Sequence, residues 1–157
     1  MNIKEAKEIL LASLKNLYDG RESASITELV LENITGLSRS ERLTKSHQDL
    51  SEKQQEKFQH IFKELQKSTP VQYVLGECWF YNRKFKVGPG VLIPRPETEE
   101  LVQLIVKDNI GKNELVILDI GTGSGNIPVT LALELNAKVY SCDISNAALS
   151  IATENIA

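Results

Sequence analysis

The run ELVILDIGTGSGNIPVTLALEL, residues 114–135, constrains the fold more than any other stretch of the chain. Its apolar opening does not alternate, which is how a parallel strand buried on both faces reads. Gly121, Gly123 and Gly125 then stand at alternate positions. An apolar segment with helical spacing follows, and Pro128 is tolerable there only if it lies in the first turn or so. AKVYSCDIS predicts a second strand ending at Asp143, and NAALSIATENIA predicts a second helix. Strand, helix, strand, helix is the grammar of a parallel α/β sheet.

Glycines directly after the first strand give this order a Rossmann-like beginning. The details of DIGTGSG, residues 119–125, select among ligands. A dinucleotide fingerprint with Gly121 and Gly123 needs a third glycine at 126, where the chain has Asn126. No Gly-Lys-Ser/Thr follows either, so a phosphate-cradling loop fails. Instead Asp119 precedes the first glycine by two residues, which suits a ligand carrying an ammonium group. Asp143 ends the next strand, where a carboxylate can accept from two ribose hydroxyls. A ligand with a ribose, an amino acid ammonium and no phosphate is S-adenosylmethionine. The plainer alternative is that the glycines only make a tight strand–helix turn and the aspartates cap helices.

Upstream lies VLIPRPETEELV, residues 91–102. Pro94 and Pro96 fix φ on either side of Arg95 and make a stiff corner. PETEELVQLIVKDNIG then predicts a helix with Pro96 at its first position and acids in its first turn, both favoured there. Before the corner, aromatic and β-branched residues punctuated by glycine and proline predict a β-hairpin. Trp79 and Tyr81 alternate on one arm, Asn82-Arg83 offers a turn, and Phe85 and Val87 alternate on the other arm. Arg83, Lys84 and Lys86 form a small basic patch, either a solvated edge that discourages strand pairing or a docking surface.

Residues 1–68 read as a helical domain, 69–93 as a β-hairpin linker and 94–157 as the start of the α/β domain. Ile3, Ala6, Leu10, Leu14 and Leu17 fall on one helical face, with Gly20 as a stop. Ser25-x-x-Glu28, Ser38-x-x-Glu41 and Ser51-x-x-Gln54 have the form of capping boxes. Ile26, Leu29, Val30 and Ile34 line a second helix, and Phe58, Ile61, Phe62 and Leu65 a third. The net charge is −3, and residues 1–70 balance basic against acidic side chains, so direct nucleic-acid binding is not expected. No membrane span or export signal is read. Cys78 and Cys142 are far apart with no CxxC and no nearby histidine, so they read as reduced cytoplasmic thiols rather than a metal site or disulfide. His47 and His60 sit in polar contexts without a chemical role.

PVQYVLGECWFYNRKFKV, VLIPRPETEELV, LDIGTGSGNI and CDISNAALSIATEN together resemble the HemK/PrmC family. Members methylate the side-chain amide nitrogen of the GGQ glutamine in peptide chain release factors, using S-adenosylmethionine. The resemblance is strong over residues 69–157, and the N-terminal helices match in character the substrate-recognition domain that the family carries there. PRPETE is its most specific piece.

The implied fold is a small helical domain, a hairpin linker and the first half of a Rossmann-like class I methyltransferase sheet. The resemblance implies that Gly121, Thr122, Gly123, Ser124 and Gly125 wrap the cofactor, that Asp143 holds its ribose, and that Asp119 lies near its ammonium. Leu92, Arg95, Glu97 and Thr98 would line the place where cofactor and glutamine meet, although Arg95 serves equally well as a structural pin.

The family's substrate motif, Asn-Pro-Pro-Tyr, occurs nowhere in the 157 residues, so no catalytic residue is assigned. The chain is therefore expected to be an N-terminal fragment, inactive alone, of a cytoplasmic protein that is monomeric at full length. Its own cofactor binding is expected to be weak or absent. The competing readings are a methyltransferase for another protein, such as a ribosomal protein, and a non-catalytic module that binds a partner.

Overall fold

The structure is a computed structural model and describes residues 1–156. The chain divides into two compact units, Met1–Leu75 and the residues from Gly76 onward. The whole is helix-rich, with two sheets of two strands each among the described residues.

The first unit is all helical. Helices α1 (Ile3–Leu14), α2 (Gly20–Thr35), α3 (Arg39–Thr44), α4 (Glu52–Leu65) and α5 (Val71–Leu75) follow in order. Ile3, Ala6, Leu10 and Leu14 of α1 meet Ile26, Val30, Leu31 and Ile34 of α2 and Phe58, Ile61 and Leu65 of α4 in one apolar core. The expected faces thus turn to the core, with Leu29 and Phe62 partly buried against it, except that Leu17 lies beyond α1 and is exposed. Capping boxes at Ser38 and Ser51 form as expected. The one expected at Ser25 does not, because Asp19 caps α2 first, accepting from the Arg21 and Glu22 amides at 2.8 and 2.9 Å. Gly20 accordingly opens α2 rather than stopping α1, and Ser25 lies inside the helix with its hydroxyl on the Arg21 carbonyl. Residues 71–75, expected to belong to the hairpin segment, form α5 instead.

The second unit opens with strands β1 (Glu77–Phe80) and β2 (Arg83–Lys86), paired antiparallel. Tyr81 and Asn82 form the turn, with φ of 49° and 59°. Two successive positive φ values are the mark of the tight turn whose twist matches a hairpin. The turn thus sits one residue earlier than Asn82-Arg83. Tyr81 leaves the strand, so Cys78 and Phe80 face inward with Phe85, while Trp79 is exposed.

Helix α6 (Pro96–Asn109) carries Pro96 in its first turn, as expected. Then come β3 (Leu115–Ile120), α7 (Asn126–Glu134), β4 (Ala137–Cys142) and α8 (Asn146–Ile156). β3 and β4 pair in parallel, from Leu115 opposite Ala137 to Ile120 opposite Cys142, with α7 as the crossover. Pro128 lies in the first turn of α7, where no backbone donor is lost. The expectation of a strand buried on both faces does not hold for β3. Val116, Leu118 and Ile120 are 70%, 60% and 77% exposed, because α7 covers only the opposite face of a two-stranded sheet.

Candidate functional site

The loop between β3 and α7 is built from left-handed glycines. Gly121, Gly123 and Gly125 have φ of 81°, 54° and 76°, a region that side-chain-bearing residues adopt at a cost. At Gly121 and Gly123 an added Cβ would meet nothing within 4 Å, so the requirement there is conformational and the space beside the backbone is open. At Gly125 it is also steric: a Cβ would stand 3.2 Å from the Ala152 Cβ and 3.3 Å from its Cα. This close approach seats α8 beneath the loop.

Backbone hydrogen bonds fix the curve. The Gly121 and Thr122 amides both donate to the Cys142 carbonyl, at 2.9 and 3.1 Å, which ties the loop to the end of β4. The Gly125 amide donates to the Thr122 carbonyl at 2.9 Å. The Ser124 hydroxyl lies 3.0 Å from Asn126 Oδ1, and both residues are buried. Asn126, which replaces the glycine of a dinucleotide loop, thus spends its side chain inside the turn.

Asp143 follows β4 directly. Its Oδ1 accepts from the Ser145 amide and its Oδ2 from the Gly123 amide, both at 2.9 Å. The backbone amides of Ser145 and Gly123 hold this carboxyl below the usual aspartate range, since they stabilise the charged form. Each carboxylate oxygen has further lone-pair capacity.

Two buried oxygens nearby have no partner: Asp119 Oδ2, one residue before the end of β3, and Thr122 Oγ1, in the loop. Buried polar atoms in folded proteins are nearly always paired, so each exception asks for an explanation.

The fold thus gathers Asp119, Gly121 to Gly125 and Asp143 around one strand–helix junction. The other expected group stands at the start of α6. Leu92, Arg95 and Glu97 are exposed and Thr98 is half-buried. Among the described residues no hydrogen bond joins any of the four to the glycine loop, and the Arg95 guanidinium makes no ion pair. The basic patch on the hairpin is neutralised internally. Arg83 pairs with Glu134 at 2.8 Å, Lys84 with Glu77 at 2.9 Å and Lys86 with Glu154 at 3.0 Å.

Asn155, to which sequence reasoning gave no role, donates to the Ser124 carbonyl at 2.8 Å. Only its place on a helix that returns beneath the loop marks it out, and that register is a tertiary property.

The chain is similar to known proteins. Residues 5–76 match the PrmC N-terminal domain. The release factor glutamine methyltransferase of Flavobacterium psychrophilum is 38% identical over 159 aligned positions, which cover 99% of this chain and 56% of that protein. The one from Bacteroides thetaiotaomicron is 43% identical over 144, covering 91% and 51%. The chain resembles the PrmC family. Its likeness extends to the Bacillus subtilis member, 42% identical over 141 positions, covering 87% of this chain and 49% of the relative. The chain spans about half the length of the curated PrmC relatives it matches. No helix is long and apolar enough to cross a membrane among the described residues.

Proposed function

We propose that this chain supplies the cofactor grip of an enzyme that methylates the side-chain amide nitrogen of the GGQ glutamine in peptide chain release factors. The observation that carries the reading is the pair of unpartnered buried oxygens, Asp119 Oδ2 and Thr122 Oγ1, beside a loop of left-handed glycines. An unmet buried acceptor costs on the order of 1–3 kcal/mol. A ligand ammonium is a donor for such oxygens, which suits S-adenosylmethionine. The open space at Gly121 and Gly123 lets such a ligand lie against the backbone. Asp143, already oriented by two amides, has lone pairs left for a ribose diol.

When bound, S-adenosylmethionine supplies an electrophilic methyl group on a sulfonium. The residues of this chain position it. Asp119 and Thr122 take the ammonium, Gly121 to Gly125 take the length of the molecule, and Asp143 takes the ribose. The corner of Leu92, Arg95, Glu97 and Thr98 lines the mouth through which the glutamine arrives. In this reading residues 1–68 recognise the protein substrate, 69–93 link, and 94–157 open a Rossmann-like domain of the class I methyltransferase kind. A substrate that belongs to translation places the protein in the cytoplasm.

The test is calorimetric titration of S-adenosylmethionine into the wild-type chain and Asp119→Asn side by side. Saturable binding that the substitution weakens about tenfold or more supports the grip. No binding in the millimolar range, or binding indifferent to Asp119, overturns it. Mass spectrometry of a release factor incubated with the protein and cofactor then reads whether the methyl group reaches the glutamine.

A further inference from the structure

A single side chain closes the outer edge of the hairpin. With Tyr81 and Asn82 as a two-residue turn, Phe80–Arg83 and Cys78–Phe85 are the pairs that exchange hydrogen bonds, and Glu77–Lys86 is not. The Lys86 N–H and C=O therefore face away from β1. Asn155, in the last turn of α8, meets both. Its Oδ1 accepts from the Lys86 amide at 2.7 Å, and its Nδ2 donates to the Lys86 carbonyl at 3.0 Å. The carboxamide does for β2 what a third strand would do. Its remaining hydrogen goes to the Ser124 carbonyl inside the glycine loop, at 2.8 Å. Both donors of the amide are thereby used, and one planar group spans hairpin, helix and loop. The Lys86–Glu154 pair and the contact of Gly125 on Ala152 hold the same helix in register with the same two segments.

We propose that Asn155 is a positioning residue that couples the hairpin to the glycine loop. The Ser124–Gly125 peptide is the part of the loop it holds. That peptide joins the left-handed Gly125 to the buried Ser124, so its tilt decides where the neighbouring amides point. Resting on the reading of this loop as a cofactor grip, the coupling makes cofactor affinity depend on the hairpin's outer edge. Whatever docks on the hairpin is then felt at the loop without touching it.

Two substitutions separate the bonds. Asn155→Leu removes all three at similar volume. Asn155→Asp keeps an acceptor for the Lys86 amide but sets a carboxylate against the Lys86 and Ser124 carbonyls. Amide hydrogen exchange is measured by NMR on the ligand-free chain, and S-adenosylmethionine affinity by calorimetry.

In Asn155→Leu the Lys86 and Gly125 amides should exchange at least about tenfold faster while those of Val102 and Leu131 hold their rates. In Asn155→Asp, Gly125 should speed up while Lys86 stays protected. Affinity should fall about tenfold in both. Uniform acceleration that includes Val102 and Leu131 would show a merely structural residue and overturn the proposal, as would an unchanged Gly125. If Asn155→Leu does not fold, the contrast between Lys86 and Gly125 in Asn155→Asp decides. If the wild-type chain binds no S-adenosylmethionine while Gly125 still responds, the coupling stands and the functional reading is what fails.

Discussion

The Gly123 amide donates to the Asp143 carboxylate at 2.9 Å, joining the glycine loop to the residue that directly follows the neighbouring strand. With the Ser145 amide it keeps that carboxyl below its ordinary range. A depressed folded-state pKa adds stability above the unfolded value of about 3.9, and that stability is lost as pH falls through the lower folded value. Urea midpoints of wild type and Asp143→Asn should therefore differ most above about pH 4 and converge in stronger acid. A difference that persists or grows below that range would contradict the arrangement.

Gly125 and Gly121 share a backbone conformation but not an environment, so alanine should separate them. Gly121→Ala carries only the left-handed penalty, about 1–2 kcal/mol. Gly125→Ala adds the collision with Ala152 and should cost about 3 kcal/mol. Ala152→Gly should recover part of the loss in Gly125→Ala and none in Gly121→Ala, a coupling that denaturant unfolding of the double mutants measures.

In the helical unit Arg42 is 5% exposed and donates to the Leu37 carbonyl and, at 2.6 Å, to Glu28, which also takes Lys7 at 2.7 Å. Burial pushes the Glu28 carboxyl up, but the hydrogen bonds and charges of Lys7 and Arg42 outweigh it and hold the group below its ordinary value. Glu28→Gln should destabilise this unit by about 1–3 kcal/mol at neutral pH, because a buried guanidinium loses its counter-charge. The loss should shrink as pH falls through the folded pKa of Glu28, where the wild-type group protonates too. Thermal melts across pH 3 to 7, a range that brackets the ordinary carboxylate value, check both the size and the sign.

The two thiols should react at different rates. Burial, with the Glu77 charge adding to it, raises the Cys78 pKa to about 11, while Cys142 is exposed. A disulfide reagent should label the exposed Cys142 quickly and the buried Cys78 only on unfolding. Peptide mapping of the labelled protein decides.

Features written in neighbouring residues were legible in the sequence. The apolar stripe of α1, the boxes at Ser38 and Ser51, Pro96 in the first turn of α6 and the strand–glycine–helix junction all depend on spacings of a few residues. Where two local signals compete, spacing does not choose between them. Asp19 and Ser25 both offer a cap for α2, and the helix starts at the earlier one. The hairpin turn has no glycine to announce it, so Tyr81 reads as strand, and a shift of one residue exchanges the buried and exposed faces. The candidate site divides the same way. Its loop is contiguous, whereas Asn155 meets Lys86 across 69 residues, a distance that no periodicity spans.

The outer face of the β3–β4 sheet has a consequence for the protein in bulk. Val116, Leu118, Ile120 and Tyr140 lie side by side on it, exposed, and each strand has one edge with no neighbour among the described residues. Such an edge presents a row of free N–H and C=O groups to any other chain in extended conformation, and the apolar row beside it favours contact. Contact between copies through this face should therefore grow with protein concentration and with salts that strengthen burial, which light scattering across a dilution series measures.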